Sequence, residues 1–229
     1  MVKILVSGAA GHYPYLLGVA RGLQLDNDYF SHANNDSEIH AYSSGCVVAL
    51  LLALNIDINL AMNCLQINIL KDLNNTLLGS GFNFLIILKT RLLKFLNSFG
   101  EDIYLKANNK LFIYISYFKN WGLSSEIISD FYNNEDLVDC CIASGFIPLY
   151  GRSILFPFRD KYCIDYAINF KPPEFIDINI KRNAVRDLNK IFGLYIFITS
   201  DYDKVKDMYQ LGIEDYKTNK NSFMVNFIN

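Results

Sequence analysis

Apolar positions fall into two rhythms along this chain, and the rhythm switches from segment to segment. Val2–Val6 is a short, almost wholly apolar run that reads as a buried strand. Residues 14–25 repeat at helical spacing, with Pro14 near the first turn, where its missing N–H costs nothing. Residues 38–42 suit a strand and 45–54 a helix. Residues 60–73 and 84–99 predict two more helices, 111–118 a strand and 135–143 a helix. Residues 162–165 read as a short strand ending in a carboxylate, and 195–199 as another strand. The pairs Asn34-Asn35, Asn74-Asn75, Asn108-Asn109 and Asn133-Asn134 mark turns between these segments, because asparagine tolerates turn backbones. Apolar strands alternating with helices predict an α/β fold with a mainly parallel sheet covered on both faces. Chemistry in such sheets gathers at the carboxyl ends of the strands.

Composition narrows this picture. With 229 residues, 52% of them hydrophobic, the chain can bury a sizeable core, and no linker interrupts it, so residues 1–229 read as one domain. A net charge of −2 argues against a nucleic-acid partner held by phosphate contacts. The longest uncharged apolar stretch, residues 41–56, falls short of the ~20 residues a spanning helix needs. The first residues read as a strand rather than as a charged region followed by an apolar one, so the expectation is a soluble, cytoplasmic chain. Cys46, Cys64, Cys140, Cys141 and Cys163 make an odd number without CxxC spacing, which points to reduced thiols rather than a disulfide frame or zinc site.

Ala41-Tyr42-Ser43-Ser44-Gly45 lies between an expected strand and an apolar helix, the setting of a nucleophile elbow. Alanine stands where G-x-S-x-G has its first glycine. The competing reading is that Ser43 or Ser44 merely caps the helix. A serine nucleophile needs a base. His12, His32 and His40 all precede Ser43, which excludes the order Ser…Asp/Glu…His, so a working Ser43 calls for a carboxylate. Ser7-Gly8-Ala9-Ala10-Gly11, between the first strand and first helix, is a loop whose backbone N–H groups can hold an anion or a developing oxyanion. It also matches the start of a dinucleotide-binding domain. Against that, Pro14 occupies the third glycine position and no strand ending in Asp or Glu follows at a suitable distance.

Downstream, Asp139-Cys140-Cys141-Ile142-Ala143-Ser144-Gly145-Phe146-Ile147-Pro148-Leu149-Tyr150 and then Arg159-Asp160-Lys161-Tyr162-Cys163-Ile164-Asp165-Tyr166-Ala167 resemble the patatin-like phospholipase family. The likeness is closest to the branch that includes the animal triglyceride lipases, where an A-S-x-F-I-P-x-Y segment leads to a strand ending in Asp-Gly-Gly or Asp-Gly-Ala. It extends to the Ser43 elbow and to Ser7-Gly8 through Leu17-Gly18, in the place of a glycine-rich oxyanion loop. Tyr209-Gln210-Leu211-Gly212-Ile213-Glu214-Asp215 resembles the branch's G-Y-x-D helix. The resemblance implies a three-layer α/β/α sandwich and a Ser43–Asp165 dyad cleaving lipid acyl esters. Backbone N–H groups of Gly8, Ala9, Ala10 and Gly11 would serve as the oxyanion hole, with no cofactor and no metal. It departs from the family at Ala9, Ala10, His12, Tyr13, Tyr166 and Ala167. Those departures open a second reading, a catalytically impaired lipid-binding or regulatory member of the same fold.

Residues 84–99 carry one further expectation. Phe84, Leu85, Leu88, Leu92, Phe95, Leu96 and Phe99 fall within an arc of about 120°, with Lys89, Arg91 and Lys94 at its margins. Such a face packs on a sheet or lies in a membrane or lipid-droplet surface.

Overall fold

The computed structural model describes residues 1–26, 37–75, 80–148, 153–169, 171, 176–193 and 200–225. The expected strand at 195–199, His32, Asn34-Asn35 and the Leu149-Tyr150 end of the downstream motif lie outside these residues.

The chain is an α/β protein built on a seven-stranded mixed sheet, a layout that fits a three-layer α/β/α sandwich. β1 (Val2–Val6), β2 (Ser37–Ala41), β3 (Leu111–Lys119) and β7 (Ile178–Ile180) form its parallel centre, in the order β3-β2-β1-β7. β4 (Gly122–Ile128), β6 (Lys161–Ile164) and β5 (Phe156–Phe158) extend it antiparallel. Register places Ile4, Val6, Ile39, Ala41, Leu111 and Ile113 on one face, all buried, as period-two alternation in a covered sheet demands. His40, Phe112 and Tyr114 share the opposite face, with the His40 and Phe112 rings stacked at 4.8 Å.

The helices are α1 (Tyr13–Gln24), α2 (Gly45–Ala53), α3 (Ile58–Ala61), α4 (Ile67–Asn74), α5 (Ser80–Asn97), α6 (Asn134–Ser144), α7 (Leu188–Phe192) and α8 (Tyr202–Thr218). The helix expected at 60–73 is interrupted. A π-helical turn, Met62–Gln66, joins α3 to α4. α2 is buried along its whole length and has no polar face, so it sits inside the molecule against β1, β2 and β3. α8 carries the Tyr209–Asp215 segment and packs along α1. There the buried Asp215 accepts a hydrogen bond from the Tyr15 hydroxyl at 2.8 Å and pairs with Arg186.

The way β3 is used fixes the site. Ile113 pairs with Ala41 of β2 and also with Ile128 of β4, and Ser116 pairs with Ile164 of β6 and also with Ser125 of β4. A strand has two edges. β4 takes one of them, so β2 and β6 follow one another along the other. β2 runs with β3 and β6 runs against it, and their carboxyl ends therefore face each other across Tyr114 and Ile115.

Candidate active site

Ser43 stands two residues beyond the end of β2 and Asp165 one residue beyond the end of β6. The head-on arrangement brings together two residues 122 positions apart: the Ser43 hydroxyl donates to Asp165 Oδ2 at 2.8 Å. Both are nearly out of solvent, each 7% exposed.

Ser43 has a φ of +54°, the left-handed region that costs a non-glycine residue ~1–2 kcal/mol. That backbone is the sharp strand-to-helix turn which lifts a nucleophile off the sheet. The turn is held from three sides. Ser43 N–H donates to Ser144 Oγ at 2.8 Å, and the Ser144 hydroxyl donates in turn to the Tyr114 carbonyl at 2.6 Å. Ser44 Oγ accepts the Ala9 N–H at 2.9 Å, so Ser44 ties the elbow to the loop after β1 instead of capping α2. At Gly45 an added Cβ would lie 2.5 Å from the Val6 carbonyl oxygen, and at Gly8 it would lie 2.9 Å from Ser43 Cβ. Glycine at both positions lets β1, its loop and the elbow close onto one another. Ala41 is fully buried in register with Val6 and Ile113, so a methyl fits where the motif has its first glycine.

Asp165 is fixed as tightly. Its N–H donates to the Phe146 carbonyl at 2.9 Å, and its Oδ1 accepts the Ala167 N–H at 2.8 Å. Burial pushes its carboxyl above the ordinary carboxylate value of 3.8, against the pull of the hydrogen bonds from Ala167 and Ser43. A carboxylate raised by desolvation is a stronger proton acceptor at neutral pH than an exposed one. Tyr166, the bulky neighbour, packs its ring against Tyr114 and Tyr42, with centroids 5.4 and 5.9 Å apart. The contact with Asp165 Oδ1 is made by the backbone of Ala167, which any residue other than proline supplies.

The loop expected to offer four N–H donors offers fewer. The Ala9 N–H is committed to Ser44. Ala10 and Gly11 open the turn that leads into α1, and they line the same cavity as Ser43. No acceptor among the described residues is shown for either N–H, as is usual for the first turn of a helical segment. Ala10 sits at a φ of +48°, a second strained position in the same site.

The cavity and the open solvent at its mouth together span about 600 Å³. Beyond Ser43, Ser44, Ala10 and Gly11 its walls are mainly apolar, drawn from Val47, Phe84, Leu85, Leu88, Ile142 and Ile147, and among the described residues no charged side chain lines it. An anion held against Ala10 and Gly11 and an alkyl group against these walls can coexist there. The described histidines lie elsewhere. His12 is buried with its Nε2 3.1 Å from the Gly193 carbonyl oxygen, and His40 bonds Tyr114 and Glu38. Burial lowers the pKa of both rings. Among the described residues no cluster of His, Cys, Asp or Glu is arranged to hold a metal ion.

Ser144 had no role at the level of sequence, although it stands within the quoted A-S-x-F motif. Its link to the elbow spans 101 residues and leaves no local trace. The basic margin of α5 does not surround an open face. Leu85, Leu88, Leu92 and Leu96 are buried in the core. Lys89 pairs with Asp139 at 2.7 Å and Glu135 at 3.3 Å, and Arg91 Nη2 donates to Asp72 at 2.7 Å. No helix among the described residues is long and apolar enough to cross a membrane. No family model matches the chain, and no curated protein aligns with it significantly.

Proposed function

We propose that this chain is a serine acyl hydrolase of the patatin-like type, cleaving lipid acyl esters with Ser43 as nucleophile and Asp165 as its base. The observation that carries the reading is the 2.8 Å hydrogen bond from the Ser43 hydroxyl to Asp165 Oδ2, set in a strained turn at the mouth of an apolar cavity. As Ser43 Oγ attacks the ester carbonyl, its proton passes to the Asp165 carboxylate and the carbonyl π pair moves onto oxygen. Ala10 and Gly11 N–H groups hold that oxyanion, with the electropositive start of α1 behind them. Collapse breaks the ester C–O bond, and Asp165 returns the proton to the departing alkoxide. A water then attacks the acyl-serine while Asp165 takes a proton from it, and on collapse Asp165 returns that proton to Ser43 Oγ as the bond to the acyl carbon breaks and the fatty acid is released. The free, buried Cys46, Cys140, Cys141 and Cys163 suit a reducing, cytoplasmic setting.

One observation favours the second reading, a slow or regulatory lipid-binding member of the fold. One of the four expected oxyanion donors, Ala9, is bonded within the protein, and removal of one such donor costs an acyl-transfer enzyme ~10²–10³ in turnover. A fluorophosphonate probe with nitrophenyl ester hydrolysis separates the two. An active enzyme labels at Ser43 and hydrolyses ester, and Ser43→Ala loses both while staying folded. Equal labelling of Ser43→Ala refutes the assignment, and a folded wild type that neither labels nor turns over supports the regulatory reading.

A further inference from the structure

The cavity beneath Ser43 ends on three side chains, and a second, smaller apolar cavity begins behind them. Tyr13, Val47 and Leu88 line both. Along α2 the sequence of linings is Ser43 and Ser44 in the near cavity, Val47 in both and Leu51 in the far one. Val47 and Leu51 are one helical turn apart, ~6 Å along the axis. The α1 segment repeats the order with Gly11, Tyr13 and Leu17. The two cavities therefore lie end to end along α2, with a three-residue partition between them.

We infer that this partition is an acyl-chain ruler, an inference that rests on the hydrolase reading of Ser43. The chain of an ester whose carbonyl sits at Ser43 runs along α2 and abuts Tyr13, Val47 and Leu88. The favoured substrates are esters of single, unbranched acyl chains short enough to end there, and the alcohol part stays at the mouth. The lining decides which part of the substrate enters. Among the described residues the wall offers charged or phosphorylated headgroups no charged partner for the water they would lose, whereas each methylene gains from burial. The Tyr13 hydroxyl is bonded to the buried Gln66 in the π turn, so its ring is tethered across the partition. Val47 and Leu88 have no such tether, and truncating either joins the two cavities.

The experiment is the chain-length profile of kcat/KM on nitrophenyl esters from acetyl to palmitoyl, for wild type, Val47→Ala, Leu88→Ala and Leu17→Ala. Wild type should gain about fourfold per added methylene until a cut-off length, then fall. Val47→Ala and Leu88→Ala should move the cut-off to longer chains. Leu17→Ala, which enlarges only the far cavity, should leave it in place. Near-UV circular dichroism checks that each variant is folded, and the milder Val47→Ala stands if Leu88→Ala does not fold. A cut-off that stays put in a folded, opened variant overturns the ruler, as does one that moves equally in Leu17→Ala. Thermal shift with free fatty acids of graded length reads the same cut-off without turnover. An enzyme that hydrolyses nothing but shows a Val47-dependent cut-off in binding would sink the hydrolase reading and keep the ruler.

Discussion

Asp165→Asn tests the dyad with two effects of opposite sign. The substitution keeps the shape of the side chain. Its carbonyl oxygen can still accept the Ala167 N–H, and its amide can still donate to Ser43 Oγ, so the loop after β6 loses no hydrogen bond. What it removes is the proton acceptor, and general base catalysis is worth ~10²–10⁴-fold, or about 3–5 kcal/mol of activation free energy. Stability should move the other way. Because burial raises the Asp165 carboxyl above its ordinary 3.8, the folded chain holds that proton more tightly than the unfolded chain does. Wild-type stability therefore declines as pH rises from the unfolded pKa to the folded one, by about 1.4 kcal/mol per unit between them, and remains lower above that window. Asn carries no such penalty. The variant should melt higher than wild type at neutral pH, by ~2–4 °C per kcal/mol in a chain of this size, and the gap should close below the ordinary carboxylate range. Differential scanning calorimetry across pH, beside ester turnover, reads both effects. The same raised carboxyl should place the acid limb of wild-type kcat/KM above pH 3.8. A variant that melts lower than wild type at neutral pH and turns over within about threefold of it would refute the argument, leaving Asp165 as a loop-capping carboxylate.

The other perturbations probe the supports. Ser144→Ala leaves the Ser43 N–H and the Tyr114 carbonyl without their shared partner in a buried site; chemical denaturation should show a loss of about 2–5 kcal/mol, and Ser144→Cys should recover part of it. A loss under ~0.5 kcal/mol would mean that Ser144 does not hold the elbow. Replacing Lys89, Arg91 and Lys94 together by Gln should leave flotation with anionic vesicles unchanged, because Lys89 and Arg91 already face Asp139 and Asp72. Its stability cost should be small, ~0–1 kcal/mol per pair. Weaker flotation in the variant and in high salt would return α5 to the membrane surface.

How much of this was legible in the sequence depended on how far apart the cooperating residues lie. The strands at Val2–Val6 and Leu111–Lys119 and the helices at Gly45–Ala53 and Ser80–Asn97 show in the apolar rhythm because each meets the core along its own length. β4 does not. Gly122-Leu123-Ser124-Ser125-Glu126 lies at a sheet edge, partly or fully exposed throughout, so no apolar alternation marks it. β5 and β7 have three residues each, too few to show a period. The π turn at Met62–Gln66 keeps the apolar spacing of a continuous helix and is invisible to periodicity. Ser43 and Asp165 were legible through motif and elimination of histidine. The commitment of the Ala9 N–H was not, since it is made to Ser44, beyond the end of another strand.

The geometry of the pair depends on backbone more than on the residues that flank it. Ser43 and Asp165 follow two strands that end against each other along a single edge of β3. Their spacing is therefore set by β3, whose far edge is locked to β4 over seven residue pairs. The supports at the junction are the Phe146 carbonyl, the Ala167 N–H and the Ser144 hydroxyl, two of them backbone groups. This accounts for how the bulky Tyr166 can stand beside Asp165 without displacing it: the ring finds room against Tyr114 and Tyr42, and the Ala167 amide does the holding. The proposed oxyanion loop, Gly8 to Gly11, has no such buffer. Its donors are single N–H groups whose direction depends on the torsions of Ala9 and Ala10, and Ala10 is already in the left-handed region. Substitution in that loop alters the direction of the groups that act, whereas substitution beside Asp165 does not. If turnover in this chain is slow, the cause lies at Gly8 to Gly11 rather than at the dyad, and Ala10→Gly, which frees that φ, is the change that should raise it.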